Sequence, residues 1–238
     1  MGGEFGPYTQ SERDEIYTDV LARLIEEDRV FRCWCSRKDI REAASAPHGG
    51  MPVYPGICRN LTADEIADVQ ERKPNKSPAW RYRTNEGEIC LVDELQGKFC
   101  QHLAREVGDF VLRRADHIFA YQLAVVVDDI MMGITDVVRG ADLLESTPRQ
   151  IALYHAFGAA PPRFWHVPLM TDKAGVRMAK RHKSESLQAS RQSGGTPEQV
   201  VGMLAASIGW CEAGEELSAA DLLGQLRERD DPWSGLRS

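Results

Sequence analysis

No stretch of this chain is apolar for long enough to cross a bilayer. A membrane-spanning helix needs about 20 consecutive apolar residues. The longest uncharged stretch, 43–58, is broken by Pro and Gly, and the apolar runs 118–127 and 199–211 stop short. A leader is missing too: Met1-Gly-Gly-Glu runs straight into polar sequence, with neither the basic nor the apolar segment of a signal peptide. Together these absences predict a cytoplasmic protein with no membrane partner. Glycine and proline, at 20 and 12 of 238 residues, are too sparse for a collagen-like or low-complexity chain. No period recurs, which excludes a coiled-coil array. Net positive charge is lacking as well: 29 Lys and Arg against 36 Asp and Glu leave −7. That argues against DNA or another nucleic acid bound over the whole surface. What is present, 42% hydrophobic and 27% charged residues, suits an ordinary globular protein of one or two domains.

A disulfide framework is a poor account of the six cysteines in a reducing compartment. Cys90, Cys100 and Cys211 are isolated, and each reads as a small buried hydrophobe. Cys33, Cys35 and Cys58 are different. Cys33-x-Cys35 sets two thiolates one residue apart, and Tyr54-Pro-Gly-Ile-Cys58 follows a Pro- and Gly-rich loop able to fold back. Zinc takes four tetrahedral ligands, usually thiolate and imidazole. On chemistry alone the fourth ligand is open between His48, the orthodox choice, and the Tyr54 phenolate. Chance proximity of three cysteines is the competing reading.

Hydrophobic spacing predicts a helix from about Ser11 to Asp28, carried by Ile16, Tyr17, Val20, Leu21, Leu24 and Ile25. A short strand, 30–35, follows. Ser36 with Asp39 and Thr62 with Glu65 carry the capping-box signature of two further helices. The period then changes to two. Trp80–Thr84 and Glu88–Val92 read as strands joined by Asn85-Glu-Gly turn chemistry. Gly108–Arg114, Ile134–Arg139 and Phe164–Met170 read as further strands. They alternate with a buried helix from Tyr121 to Met132 and a helix begun by Thr147-Pro148. After Ser184 the chain is helical. One helix opens at Thr196 with an apolar stripe of Val200, Val201, Leu204 and Ile208, read as core, and another opens at Ser218. The class is α/β with a helical appendix.

Two further constellations carry chemistry. Arg139, in Val138-Arg-Gly-Ala-Asp142, ends a strand, where α/β sheets bind ligands, and its planar fork suits a carboxylate. Tyr121 is a candidate neighbour, and an ion pair with Asp128, Asp129 or Asp142 is the competing reading. The segment Asp172–His182 is a basic, Gly-containing loop after a strand. Six Lys and Arg lie between 172 and 191 against two acids. A lysine there can offset charge growing on transferred phosphate, although the segment lacks a P-loop pattern; a solvated loop is the plain alternative.

These segments, taken in order, resemble class I aminoacyl-tRNA synthetases of the glutamyl group. The motifs are Gly6–Arg13, Phe110–Asp116, Tyr121–Asp129, Val137–Leu144, Ser146–Gln150 and Arg177–Arg181. The chain ends not far beyond Arg181, where full glutamyl-tRNA synthetases continue into an anticodon-binding domain. It also carries Cys-x-Cys…Tyr-x-x-x-Cys. Within the group it is therefore most similar to the short glutamyl-queuosine tRNA(Asp) synthetases. The resemblance implies an incomplete Rossmann-type catalytic domain with an inserted zinc-binding subdomain and a short helical C-terminal tail. It divides the chain as 1–32 (end of the first catalytic half), 33–107 (zinc-binding, acceptor-type insertion), 108–183 (second catalytic half with a KMSKS-like loop) and 184–238 (helical tail).

It further implies a structural zinc ion on Cys33, Cys35, Tyr54 and Cys58. Glutamate would be held by Tyr121 and Arg139, and ATP, with Mg2+, by the loop Arg177, Met178, Ala179, Lys180 and Arg181. Lys180 would be the catalytic residue. The reaction is ATP-dependent, tRNA-independent activation of glutamate, then transfer of the glutamyl group to queuosine of tRNA(Asp). Arg177 and Ala179 stand where the family's KMSKS loop has its first Lys and its Ser. The family's His-Ile-Gly-His-type signature is absent and would fall just upstream of Met1. This chain alone is thus expected not to form glutamyl-adenylate. A noncatalytic remnant binding zinc and tRNA, or a shortened glutamyl-tRNA synthetase, are the alternatives.

Overall fold

A computed structural model describes residues 5–43, 53–170 and 187–237. The basic loop, with Arg177 to Arg181, and His48 lie outside those residues. The elements run α1 (Asp14–Glu26), β1 (Val30–Cys33), α2 (Arg37–Ala43), α3 (Ala63–Arg72), β2 (Ala79–Tyr82), β3 (Glu88–Asp93), β4 (Gly97–His102) and α4 (Leu103–Glu106). Then come β5 (Val111–Arg113), α5 (Tyr121–Met131), β6 (Asp136–Gly140), α6 (Thr147–Ala156) and β7 (Arg163–Val167). Helices α7 (Leu187–Gln192), α8 (Pro197–Ser207) and α9 (Ala219–Arg227) follow.

The chain divides into two compact units. The first takes described residues within Met1–Leu91, Phe99–Asp136 and Glu145–Pro162; the second takes those within Val92–Lys98, Val137–Leu144 and Arg163–Ser238.

In the first unit β2 is the central strand of a sheet ordered β1-β2-β5. Val30 pairs with Tyr82 and Cys33 with Ala79, antiparallel, and a register shift at Trp80/Arg81 precedes the antiparallel pairing of Arg81 with Val111. Both edges of β2 are therefore occupied. The expected β2–β3 pairing through Asn85-Glu-Gly does not form, and β3 pairs with β4 instead, a strand that spacing alone did not mark. Helix α1 buries Tyr17, Leu21 and Leu24, and α5 buries Leu123, Ala124, Val126 and Val127. Only the middle of α5 is buried, because Tyr121 at its start and Met131 at its end are exposed.

Arg13, 1% exposed, donates from Nε to Asp128 Oδ1 at 2.8 Å, and the Tyr17 hydroxyl donates to the same carboxylate. Burial, then the hydrogen bond to Asp128, push the Tyr17 phenol up to about 12. The capping boxes form: Thr62 Oγ1 accepts from Glu65 N, and the Glu65 carboxylate accepts from Thr62 N. Ser36 and Asp39 do the same. Such caps contribute about 1 kcal/mol each.

Two expectations about cysteine and core are corrected. Cys90 and Cys100, on adjacent strands β3 and β4, are joined as a disulfide with Cα atoms 4.0 Å apart, and Cys90 is exposed. They are not reduced, buried hydrophobes, because the hairpin sets them face to face. On α8 the predicted apolar stripe is core only in part: Val200, Val201 and Ile208 are half-buried, Leu204 is exposed, and the fully buried positions are Gly202 and Ala205. A Cβ on Gly202 would stand 1.7 Å from the Glu215 carbonyl oxygen, so the helix is docked through its smallest residues. Cys211 is half-buried and donates to the Gly202 carbonyl at 3.3 Å. The second unit also gathers Trp165, Trp210 and Trp233, with ring centroids 5.2 Å apart along the chain of contacts. No helix among the described residues is long and apolar enough to cross a membrane.

Candidate metal centre and arginine site

The metal candidate forms in the first unit, where β1 ends. Strand alternation turns Phe31 and Cys33 inward, and the turn after Cys33 brings Cys35 back beside it. The segment 53–61 closes over them. Sγ of Cys35 lies 3.6 Å from Sγ of Cys58, and the three thiol sulfurs lie within 4.8 Å of one another. Tyr54 Oη is 3.4 Å from Cys33 Sγ and 4.0 Å from Cys35 Sγ. A tetrahedral ion with Zn–S bonds of about 2.3 Å sets its sulfurs about 3.8 Å apart, so the spacing suits such an ion. The Cys58 backbone N–H donates to Tyr54 Oη at 2.8 Å, support that suits an anionic phenolate.

The same crowding sets the acid–base chemistry. Hydrogen bonds from Cys35 and Cys58 hold the Cys33 thiol well below its ordinary value, while Cys33, Cys58 and burial push Cys35 well above. Burial, then Cys33, push the Tyr54 phenol up. Donors that cannot all be anionic alone can be so around a divalent cation. The Arg81 guanidinium, 4.0 Å over the Tyr54 ring, adds a compensating positive charge.

Three residues that the spacing did not mark hold this loop. Gly108, at φ +71°, lets the Tyr54 backbone approach so closely that a Cβ there would stand 2.7 Å from the Tyr54 carbonyl oxygen. Arg59 is ion-paired with Asp109 and donates to the Thr84 carbonyl at 2.9 Å. Asp109 also accepts from Thr84 N at 2.9 Å, which fastens the loop to the sheet. The sequence signal available was Gly108 itself, the residue type that a positive φ favours.

The arginine site belongs to the second unit. Arg139 lies on β6, whose sheet partner is β7. Its Nε donates to Nε2 of His166 on β7 at 2.9 Å, and its Cζ lies 5.3 Å from the Phe164 ring centroid. His166 Nδ1 meets Asp93 Oδ2 at 2.5 Å, with both side chains fully buried. Burial draws the imidazole below its ordinary value against the opposing pull of Asp93. The competing reading gave Asp128, Asp129 or Asp142 to Arg139; Asp128 accepts from Arg13 and Tyr17, Asp129 accepts from Tyr154 at 3.0 Å, and Asp142 stays by Arg139, both of them acting electrostatically on His166. Next to Arg139, a Cβ on Gly140 would stand 2.6 Å from Asp142 Oδ1, so that carboxylate lies against the strand end. Tyr121 belongs to the first unit, where it opens α5 and is 47% exposed. Residues 164 and 166 share the inward face of β7, an alternation legible in Phe-Trp-His, whereas the partnership with Asp93 was not.

Comparison with known proteins places this geometry in a family. Residues 1–226 match the model of class I tRNA synthetases (E and Q), catalytic domain. The chain is 46% identical over 227 residues to the Glutamyl-Q tRNA(Asp) synthetase of Symbiobacterium thermophilum, covering 94% of this chain and 69% of that protein. It is 48% identical over 213 residues to that of Nitratidesulfovibrio vulgaris, covering 88% and 64%. The crystal structure of a glutamate-tRNA synthetase from Elizabethkingia anophelis superposes with a TM-score of 0.77 at 24% identity. That superposition covers all of this chain and 53% of that one, a likeness of fold. This chain thus spans about two thirds of those curated relatives and about half of the solved synthetase. With nearly its whole length matched, the chain belongs to the class I tRNA synthetase (E and Q) catalytic-domain family, a family of ATP-dependent ligases.

Proposed function

We propose that this chain carries the catalytic machinery of a glutamyl-queuosine tRNA(Asp) synthetase: it activates glutamate with ATP, without tRNA, and transfers the glutamyl group to queuosine of tRNA(Asp). The observation that carries this reading is the convergence of Cys33, Cys35, Tyr54 and Cys58 in a chain with two curated relatives of that name at 46% and 48% identity. On this reading the four donors hold one zinc ion, which closes the turn and leaves no coordination position for water, so its role is structural. Arg139 takes a glutamate carboxylate in its fork, and Tyr121 contributes to glutamate binding as the resemblance implies. Lys180, in the loop Arg177-Met178-Ala179-Lys180-Arg181, stabilises charge developing on the ATP phosphates, with Mg2+ as their counterion. Catalysis then comes from orientation and charge stabilisation, with no side chain acting as nucleophile. A tRNA substrate fits a cytoplasmic location.

The test is glutamate-dependent ATP–pyrophosphate exchange, followed by transfer of labelled glutamate to tRNA(Asp) with and without queuosine and to tRNA(Glu). Assayed with a His-Ile-Gly-His-type segment placed ahead of Gly6–Arg13, exchange without tRNA and transfer only to the queuosine-bearing tRNA(Asp) are expected. Transfer to tRNA(Glu) would instead mark a glutamyl-tRNA synthetase, and no exchange with that segment in place would mark a noncatalytic chain.

A further inference from the structure

The reading of Arg139 as the carboxylate fork leaves open what aims it, and the inference below rests on that reading. Asp93 Oδ1 accepts three backbone N–H bonds, from Gln96 at 2.9 Å, Leu95 at 3.1 Å and His166 at 3.2 Å. Those bonds leave Oδ2 facing His166 Nδ1 at 2.5 Å. The Glu94 N–H donates to the Phe164 carbonyl at 2.9 Å, and Gln96 Nε2 donates to the His166 carbonyl at 2.8 Å. The β3–β4 turn is thus bound to β7 on both sides of the imidazole. Arginine can only donate. His166 Nε2, receiving Arg139 Nε–H, must therefore be the unprotonated nitrogen, and the ring proton must sit on Nδ1 and point at Asp93. An imidazolium, or the other tautomer, would set N–H against N–H.

We infer that His166, locked by Asp93 in its Nδ1–H tautomer, is a positioning residue that fixes the direction of the Arg139 guanidinium for glutamate. Acting on Nε, it sets the plane of the guanidinium. The Phe164 ring, stacked on His166 at 6.1 Å and beneath Arg139, limits rotation out of that plane. Burial of the ring at 0% exposure favours the neutral imidazole that the relay needs.

Asp93→Asn tests the tautomer. Asn keeps an oxygen for the three backbone N–H groups and turns its amide N–H toward His166 Nδ1. The ring proton then moves to Nε2, against Arg139. In calorimetric titration of L-glutamate into the 238-residue chain, the dissociation constant should rise about tenfold or more, as for loss of a charge-assisted hydrogen bond. The 15N shifts of the two His166 ring nitrogens should exchange. A folded Asp93→Asn chain that binds glutamate like the parent overturns the inference. Should Asp93→Asn fail to fold, His166→Gln and His166→Leu decide it. Both remove the partner of Asp93, but only Gln offers an acceptor to Arg139, so Gln must bind more tightly than Leu, and equal affinities overturn the inference. Arg139→Ala is the control for the underlying reading. If it binds glutamate like the parent, or the parent does not bind, the glutamate assignment itself fails. If it loses binding while Asp93→Asn and His166→Gln do not differ from the parent and His166→Leu, only the relay fails.

Discussion

A Cβ added to Gly108 would stand 2.7 Å from the carbonyl oxygen and 2.8 Å from the amide nitrogen of Tyr54. The left-handed backbone of one residue therefore decides whether the phenol reaches the thiols. Gly108→Ala must strain φ and move the Tyr54 segment. The left-handed conformation alone costs about 1–2 kcal/mol. Urea unfolding should show at least that loss, with reduced bound metal, and unchanged values on both counts would mean the segment yields freely.

Metal analysis of the purified chain should find about one zinc per chain, the count a single tetrahedral four-ligand site implies. Chelation should lower the Tm, since a metal bound only by the folded chain adds its binding free energy to stability. Full occupancy surviving the pair Cys33→Ser with Cys58→Ser would sink the assignment, and Tyr54→Phe should weaken retention without abolishing it.

Arg139→Lys should behave as a non-conservative change. One ammonium cannot reproduce the planar fork, nor accept the fixed direction His166 imposes on Nε. Loss of a charge-assisted bond of about 1.5–3 kcal/mol corresponds to at least about tenfold weaker glutamate binding. Equal affinity for the two side chains would leave Arg139 a structural partner of His166.

Acid should loosen the second unit before it loosens a protein without this pair. Unfolded His166 gains its proton near pH 6.5, whereas burial keeps the folded imidazole neutral to lower pH. Between those values the unfolded state holds more protons. The stabilisation is therefore fully present above about pH 6.5 and falls as pH drops toward the folded value. Burial alone would raise Asp93, but hydrogen bonds from His166 and the backbone of Gln96, His166 and Leu95 outweigh it. Its carboxyl lies below 3.8, which adds a second loss in stronger acid. Melting followed by Trp fluorescence should show a Tm lower at about pH 5.5 than at about pH 7.5, with a smaller difference in His166→Gln. Parallel pH profiles would count against the buried neutral imidazole.

Removing one member of the buried Arg13–Asp128 pair should be the costliest change in the first unit. Arg13→Met leaves the Asp128 carboxylate with the Tyr17 hydroxyl and Gln10 amide but without its cation. Breaking a buried pair costs about 3–5 kcal/mol, measurable as a shift in the urea midpoint. A shift below about 1 kcal/mol would show that the carboxylate accepts a proton instead at little cost.

Local signals survived into the structure wherever the cause was local. Ser36, Thr62, Thr196 and Ser218 cap the helices they were expected to open, because a cap needs only a side chain and the N–H two or three residues on. Helix α1, expected from about Ser11, begins at Asp14, after a short 3₁₀ turn at Gln10–Glu12. The clustering of Cys33 with Cys35 and Cys58 was legible from spacing and residue type, and so was Arg139 at a strand end. What the sequence by itself determined was the inventory: caps, strand alternation, thiolate spacing and the fork. Tertiary structure alone decided which strands pair, and β2 takes β1 and β5 because two edges accept only two neighbours. It also decided that Cys90 faces Cys100, that Gly108 admits Tyr54, and that Asp93 meets His166 across 73 residues of chain. Those contacts join positions far apart in the chain, where side-chain spacing carries no information and only the folded backbone sets the distance.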